Sequence, residues 1–131
     1  MTTACVAEPV SGFRELSLSP ELLAALDRVG YQEPTPIQAA FIPEALTGRD
    51  VMGQAQTGTG KTAAFLLPFM NGWRDDNRPG PQAIVLAPTR ELVVQVSEEA
   101  NKLAPSRDCR AIPIYGGQRI RTQLTEMRKG H

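Results

Sequence analysis

One short segment, Ala55-Gln56-Thr57-Gly58-Thr59-Gly60-Lys61-Thr62, constrains the fold of this chain more than any other part. Its glycines remove side chains where backbone N–H groups must approach an anion, while Lys61 supplies a positive charge and Thr62 a hydroxyl that ligates magnesium. The segment follows the apolar run Asp50–Gly53 and precedes a helix-favouring run, the strand, loop and helix order of a phosphate-binding loop. The usual pattern opens with Gly, and here Ala55 occupies that place. In this context a plain Gly/Thr surface loop is disfavoured, and the pattern predicts a nucleoside triphosphate site with Mg²⁺.

Length and composition narrow the remaining possibilities. The chain has 131 residues, enough for one domain, and its 14 basic residues balance 14 acidic ones, so any contact with RNA or a membrane must be local. The amino terminus lacks the features of a signal peptide and no stretch has the length of a membrane span, which predicts a cytoplasmic protein without membrane contacts. Cys5 and Cys109 lack metal or redox spacing and are interpreted as free thiols. The only histidine is His131, which excludes histidine-based acid–base catalysis.

Cap residues predict two helices before the phosphate loop. Ser19 followed by Pro20 starts the first helix, and Gly30 ends it. Thr35 and Pro36 start the second, which runs through Ile42, restarts at Pro43 and ends at Thr47-Gly48. Residues 1–11 show no periodicity and are predicted to be a loose tail.

After the loop, the pattern alternates between strand and helix. The helix that follows the loop contains Pro68, which predicts a kink or an early end near Phe69. A polar connector over 73–81 precedes a buried strand over 82–87, and Pro88-Thr89 then opens a helix. A weaker strand over 110–115 and an amphipathic helix over 118–129 complete the chain. Two sets of residues are predicted to face the core. They are Leu92, Val96, Ala100 and Leu103 on the helix opened by Pro88-Thr89, and Ile120, Leu124 and Met127 on the last helix.

The segment Gly30–Gln38, with Phe13 upstream, resembles the Q motif of the DEAD-box ATP-dependent RNA helicases. In that motif an amide accepts from the adenine N6 amino group and donates to N7, a pair that guanine does not complement. By themselves Phe13 and Gln38 would be interpreted as a core anchor and a solvated helix residue. Because the phosphate loop follows at the family's spacing, the resemblance implies that the cofactor is ATP. The implied cofactor-binding residues are Phe13, Tyr31, Gln38, Ala55, Gln56, Thr57, Gly58, Thr59, Gly60, Lys61 and Thr62, with Thr62 also holding Mg²⁺.

Two further segments resemble the family's RNA-contacting motifs. Pro88–Gln95 is similar to motif Ia and Tyr115-Gly116-Gly117 to the GG motif, which implies that RNA is the partner and is bound through its backbone, without sequence preference. Taken alone, the first segment is an ordinary capped helix whose arginine pairs with a carboxylate, and the second is only a turn. The implied RNA-binding residues are Pro88, Thr89, Arg90, Gly116 and Gly117.

The resemblance implies an α/β fold: an incomplete RecA-like P-loop domain with parallel sheet strands and flanking helices. Its parts are a tail over 1–11, a Q-motif region over 12–39 and a partial helicase ATP-binding domain over 40–131. The sequence contains no Asp-Glu-Ala-Asp box and no second domain, so we expect no complete ATPase from these residues alone. The open alternatives are an unrelated small P-loop nucleotide-binding protein and a non-catalytic short form or gene remnant.

Sheet order in RecA-like folds adds one structural expectation. There the phosphate-loop strand and the motif Ia strand are separated by two strands that occur later in the sequence than the residues present here. We therefore expect an open gap or an unusual pairing between the strands near Val51 and Ile84, and an aggregation-prone or molten isolated chain that binds ATP weakly without turnover.

Overall fold

The computed structural model describes residues 11–73, 80–104 and 109–128. It contains a short 3₁₀ helix, Phe13–Leu16, followed by five α-helices. The predicted tail over 1–11 except Ser11, most of the predicted connector, Cys5 and His131 lie outside the described residues. In chain order the helices are α1 (Pro20–Val29), α2 (Pro36–Leu46), α3 (Lys61–Gly72), α4 (Arg90–Leu103) and α5 (Ile120–Met127).

The predicted ends of α1 and the start of α2 are confirmed. The Ser19 hydroxyl accepts a hydrogen bond from Leu22 N at 3.3 Å, and Gly30 ends α1 with a left-handed φ of 81°. Thr35 is the N-cap of α2 and Pro36 its first residue.

The predicted restart at Pro43 and the predicted early end near Phe69 are wrong, and the alternative of a kink at Pro68 stays a prediction. The α2 helix continues through Pro43 to Leu46 without a restart, and α3 continues past Pro68 to Gly72 rather than ending near Phe69. A proline removes one backbone hydrogen bond, but tertiary packing holds both helices together across that loss. Ile42 is fully buried beside Pro43, and Met70 is 4% exposed beyond Pro68.

The core lies between the 3₁₀ helix, α1, α2, α3 and the carboxyl-terminal half of α4. The α3 helix packs against α1, α2 and α4, and α1 also packs against α4. Of the predicted α4 stripe, Ala100 and Leu103 are buried and Val96 is partly buried against the core, but Leu92 is 40% exposed. The buried apolar residues of this helical core are Phe13, Leu16, Leu18, Leu22, Leu26, Ile42, Ala63, Leu66, Leu67, Met70, Ala100, Leu103 and Cys109.

The three predicted strands are extended segments over 50–56, 82–87 and 109–115, and none forms a hydrogen-bonded strand within the described part of the chain. Ile84 and Leu86 are 79% and 91% exposed, and Met52 is 94% exposed. A helix satisfies its backbone internally, whereas a strand needs a neighbouring strand, which explains why the helices form and the strands do not. The first two segments form no strand pairing with each other among these residues, and the expected open gap or unusual pairing stays a prediction.

The third extended segment is held by side-chain amides instead of a strand. Asn101 of α4 accepts from Ala111 N at 2.9 Å and donates to Ala111 O at 3.0 Å. Gln123 of α5 accepts from Tyr115 N at 3.0 Å and donates to Tyr115 O at 3.2 Å. Each amide therefore pairs with both polar groups of one backbone residue, as a neighbouring strand would.

The predicted inward face of α5 is wrong. Ile120, Leu124 and Met127 are 71%, 44% and 44% exposed, and α5 contains no buried residue. Amphipathic periodicity identifies the apolar side of a helix, but burial requires an element that covers it, and no described residue does so here.

Candidate functional site

The phosphate loop adopts the conformation that its glycines predict. Gly58 and Gly60 have left-handed φ values of 79° and 84°, and Gly60 is the N-cap of α3. The Thr59 hydroxyl donates to Gln56 O at 2.6 Å, which closes the turn. The loop thus delivers the chain to the amino-terminal end of α3, where unpaired N–H groups and the helix dipole favour an anion.

The cationic and hydroxyl side chains of the loop stand at that helix end. Lys61 and Thr62 are the first two residues of α3, and both are partly buried. Lys61 Nζ donates to the carbonyl of Ala55, so the side chain crosses back over the loop. A Cβ atom added to Gly58 would meet no atom within 4 Å, which leaves open space beside its backbone. These residues fit a triphosphate: backbone donors, one cation and one hydroxyl converge beside an open surface.

Gln38 connects the predicted base-recognition segment to this loop. Its side chain is fully buried, with Oε1 accepting from Thr35 N at 2.9 Å and Nε2 donating to Gly60 O at 3.1 Å. A Cβ atom added to Gly60 would lie 2.5 Å from Gln38 Nε2, so a side chain there would displace the amide. The Thr35 hydroxyl is also buried and has no hydrogen-bond partner among the described residues. Gln38 is therefore neither solvated nor free, and the position of the loop depends on it.

Phe13 and Tyr31 lie together at a second location. Their ring centroids are 6.1 Å apart in an edge-to-face arrangement, and Phe13 is 4% exposed. The two rings border a cleft of about 270 Å³ beside α1, whose lining residues do not include Gln38. The structure thus brings Gln38 to the phosphate loop and pairs the two aromatic rings with each other.

Tyr31 also links this region to α4. Its hydroxyl donates to the Glu99 carboxylate. Burial raises the pKa of Tyr31 from 10.0 to about 12, and the hydrogen bond to Glu99 and its negative charge act in the same direction. The phenol is therefore neutral at physiological pH and acts as a hydrogen-bond donor.

The predicted RNA-contacting residues are brought together. Thr89 is the N-cap of α4, with its hydroxyl accepting from Leu92 N at 3.3 Å, and Pro88, Thr89 and Arg90 are exposed. The Arg90 guanidinium lies over the Tyr115 ring, 5.5 Å from the centroid. A Cβ atom added to Gly117 would lie 3.0 Å from Arg90 Nη2, whereas one added to Gly116 would meet nothing within 4 Å.

Several residues of these clusters were not singled out from the sequence. They are Glu99 beside Tyr31, and Gln118 and Gln123, which hold Tyr115. Each is a common polar residue outside any motif, so residue type and spacing give no indication of the contact, and Thr35 was predicted only as a helix cap. Tyr115 was the exception, since an aromatic residue directly before two glycines stands out.

Comparison with known proteins identifies the family. The DEAD/DEAH box helicase family matches residues 35–131, which include the phosphate loop, α4 and the Gly116-Gly117 turn. The chain belongs to the DEAD/DEAH box helicase family. The match corresponds to the amino-terminal region of the first domain of such helicases.

Curated relatives and solved structures agree with this assignment. The chain is 52% identical over 117 residues to the DEAD-box ATP-dependent RNA helicase CshA of Bacillus cereus (strain ATCC 10987 / NRS 248), covering 89% of the chain and 22% of the relative. For CshA of Bacillus subtilis (strain 168) the identity is 50%, covering 89% of the chain and 24% of the relative. The chain therefore spans about a quarter or less of the length of these relatives.

Two solved structures show a similar likeness. One is the RNA helicase Prp28 of Chaetomium thermophilum bound to ADP, with a TM-score of 0.81 and 46% identity, covering 93% of this chain and 31% of that one. Another is a DEAD box protein from the hyperthermophile Methanococcus jannaschii, with a TM-score of 0.77 and 38% identity, covering 88% and 32%. No helix in the described residues is both long and apolar enough to cross a membrane.

Proposed function

We propose that this chain forms the ATP-binding and RNA-backbone-binding part of an ATP-dependent RNA helicase. The observation that carries the proposal is the junction of Gln38, Gly60 and Lys61: a buried amide fixes the carbonyl of the glycine that caps α3, directly before the lysine. A surface turn has no need of such a buried connection. The names of the curated relatives support the same activity. Family membership makes an unrelated P-loop protein unnecessary as an explanation.

In this proposal the loop residues hold the triphosphate. The backbone of 55–60 surrounds the phosphates, Lys61 binds the β- and γ-phosphates, and Thr62 holds Mg²⁺. Bound ATP with Mg²⁺ supplies the free energy of hydrolysis for RNA remodelling. The Lys61 ammonium has three N–H donors and gives one to the Ala55 carbonyl, which leaves two for the phosphates.

Base recognition by Gln38, Phe13 and Tyr31 is part of the proposal. The Gln38 amide makes one donated and one accepted hydrogen bond within the chain and keeps a second N–H and a second Oε1 lone pair, but it is fully buried, so adenine recognition requires the loop to open access to it. Phe13 at 4% exposure must turn outward or offer an edge for the base to contact it. A bound adenine would thus change the contacts of the loop as well as occupy a pocket.

The fold proposal is a RecA-like parallel sheet built on the three extended segments. Met52, Ile84 and Leu86 are the apolar residues such a sheet would bury. The proposed regions are the Q-motif region over 12–39 and the partial helicase ATP-binding domain over 40–131, and cytoplasmic location stays a prediction.

The test uses a chimera in which this chain replaces the aligned region of the Bacillus subtilis relative. We expect RNA-stimulated ATP hydrolysis by the chimera and its loss in Lys61→Ala. Lys102→Ala is the matched control, because Lys102 is an exposed lysine whose nearest carboxylate contact is a weak 3.9 Å pair with Glu99. Normal turnover by Lys61→Ala, or a folded chimera without ATPase activity, would contradict the proposal.

A further inference from the structure

In the pairs Gly58/Gly60 and Gly116/Gly117, the two glycines differ in the space around the position where a Cβ atom would stand. In each pair the first glycine, Gly58 or Gly116, has open space where a Cβ atom would stand. The second, Gly60 or Gly117, has a left-handed φ of 84° or 91° and a neighbouring side chain in that space. The Cβ position of the second glycine is therefore occupied from within the chain, whereas that of the first, including Gly58 with its left-handed φ of 79°, is open.

At Gly117 the neighbouring side chain is Arg90. Its Nη2 atom lies 3.0 Å from the position of an added Cβ atom, a contact that would force the guanidinium to move. The space into which a side chain at Gly117 would project is therefore occupied by the guanidinium, although Gly117 itself is exposed. Gly116, which is exposed and lacks a positive φ, keeps its backbone accessible.

The second contact of Arg90 is the ring of Tyr115. The guanidinium carbon lies 5.5 Å from the ring centroid, within the range of a cation–π interaction. Among the described residues Arg90 makes no salt bridge, so its charge is not neutralised by a carboxylate. An aromatic face orients a guanidinium without using its N–H donors, which stay available for a phosphate.

Tyr115 is itself held at three points. Gln123 pairs with its backbone N–H and C=O, and its hydroxyl accepts from Gln118 Nε2 at 2.6 Å. Both glutamines belong to the segment that follows the glycine pair. The ring is thus fixed relative to the turn, and Arg90 is fixed relative to the ring.

We propose that Tyr115 and Gly117 are positioning residues that set the Arg90 guanidinium for an RNA phosphate, while the backbone of Gly116 is the point of closest phosphate approach. This inference rests on the proposed binding of RNA by Arg90. The proposal gives the residues of this motif two different roles. Tyr115 and Gly117 orient the Arg90 guanidinium, and Gly116 contacts the RNA phosphate.

A double-mutant cycle in the chimera described above separates positioning from general stability. Binding of a fluorescein-labelled single-stranded RNA is measured by anisotropy between 50 and 200 mM salt for Arg90→Ala, Tyr115→Leu and the double variant. We expect Tyr115→Leu to weaken binding about 2- to 5-fold, the range of an exposed cation–π contact. Arg90→Ala should lower the salt slope by about one phosphate contact. In the Arg90→Ala background, Tyr115→Leu should have no further effect.

Two conservative variants, Tyr115→Phe and Gly116→Ala, are measured alongside the double-mutant cycle. Tyr115→Phe keeps the ring and loses only the Gln118 hydrogen bond, so its affinity should lie nearer the parent than Tyr115→Leu does. Gly116→Ala should weaken RNA binding while leaving the coupling of Tyr115 and Arg90 intact. Equal losses for Tyr115→Leu with and without Arg90 would overturn the positioning role.

A measurement without RNA tests the contact between Arg90 and Tyr115 separately from the proposed contact of Arg90 with RNA. In the ¹⁵N-labelled chimera without RNA, the Nε–H resonance of Arg90 should carry a ring-current shift that Tyr115→Leu removes and Tyr115→Phe preserves. Absence of that shift in the parent chimera overturns the inference. A normal shift combined with unchanged RNA affinity in Arg90→Ala contradicts the proposed RNA contact and with it the role of Tyr115 in binding.

Discussion

The helical core and the first two extended segments both contain large apolar side chains, yet those of the helical core are buried and most of those in the two segments are exposed. Leu67 of α3 is fully buried, whereas Leu86 of the second extended segment is 91% exposed. Ile42 is fully buried, whereas Ile84 is 79% exposed. The difference lies in the backbone, because helices complete their hydrogen bonds locally and pack as finished units, while an extended segment needs a partner before it has a face to bury.

The polar side chains follow the same division. In the helical core region, the amide of Gln38 joins two elements that are already ordered, the cap of α2 and the cap of α3. Along the third extended segment, Asn101 and Gln123 replace a missing strand at single residues. A side-chain amide satisfies one residue of a strand and leaves the rest of the ladder unpaired.

The largest expected effect is on the isolated chain. Because Met52, Ile84 and Leu86 are exposed on segments that form no strand pairing among the described residues, we expect the 131-residue chain to aggregate or to be molten, and to bind ATP weakly without turnover. Light scattering and dye binding should both fall in Leu86→Lys, with Leu124→Lys on α5 as the control. Cooperative unfolding of a monomer that binds ATP in the micromolar range would contradict the expectation that the exposed extended segments destabilise the isolated chain.

The next expected effect is on the stability of the chimera, in which the relative provides the strands of the proposed sheet. In the chimera, Leu67→Ala and Leu86→Ala should each lower the free energy of unfolding by about 2 to 5 kcal/mol, the cost of deleting a buried leucine. Urea titration measures both values. A cost for Leu86→Ala below about 0.5 kcal/mol, typical of a surface site, would mean that the segment stays exposed and that the sheet proposal is wrong.

A smaller effect is expected at the amide junction. Gln38→Ala leaves the Thr35 N–H and the Gly60 carbonyl without their partner, at about 1 to 3 kcal/mol for each group left buried. If the same amide selects adenine, competition binding should also show the preference of the chimera for ATP over GTP shrink by about 1 to 3 kcal/mol. Gln95→Ala, at an exposed position of α4, serves as the control. Equal affinity for ATP and GTP in the parent would remove the adenine assignment while leaving the structural cost.

The smallest effect is a pH dependence at Tyr31. Its pKa is raised by burial and by Glu99 to about 12 in the folded state, against 10.0 ordinarily, so the folded state holds the phenol proton more tightly. This contribution to stability is complete below pH 10 and is lost as the pH rises from about 10 to 12. Chemical unfolding of the chimera across that window should show the loss, and Tyr31→Phe should flatten that part of the profile. The same slope in both proteins would assign the effect to other groups.

Much of the fold and of the site follows from local chemistry. Ser19 and Gly30 fix the ends of α1 because cap preferences depend on the residue and its immediate backbone. The left-handed glycines of the phosphate loop and the N-cap of α4 at Thr89 follow for the same reason. The inward face of α5, the burial of Leu92, and the restart at Pro43 were predicted wrongly because each depends on what packs against the helix.

Residue types at characteristic spacings were enough to predict the helices, the phosphate loop and the family. The packed structure was needed to show which glycine has open space at its Cβ position and which has a neighbouring side chain there. It also placed Gln38 against Gly60, Arg90 against Tyr115 and Gly117, and Tyr31 against Glu99. Gln38 and Gly60 are 22 positions apart in the sequence, and Tyr31 and Glu99 are 68 positions apart. Pairings at such separations are set by how the helices pack, which no local pattern of residue types encodes.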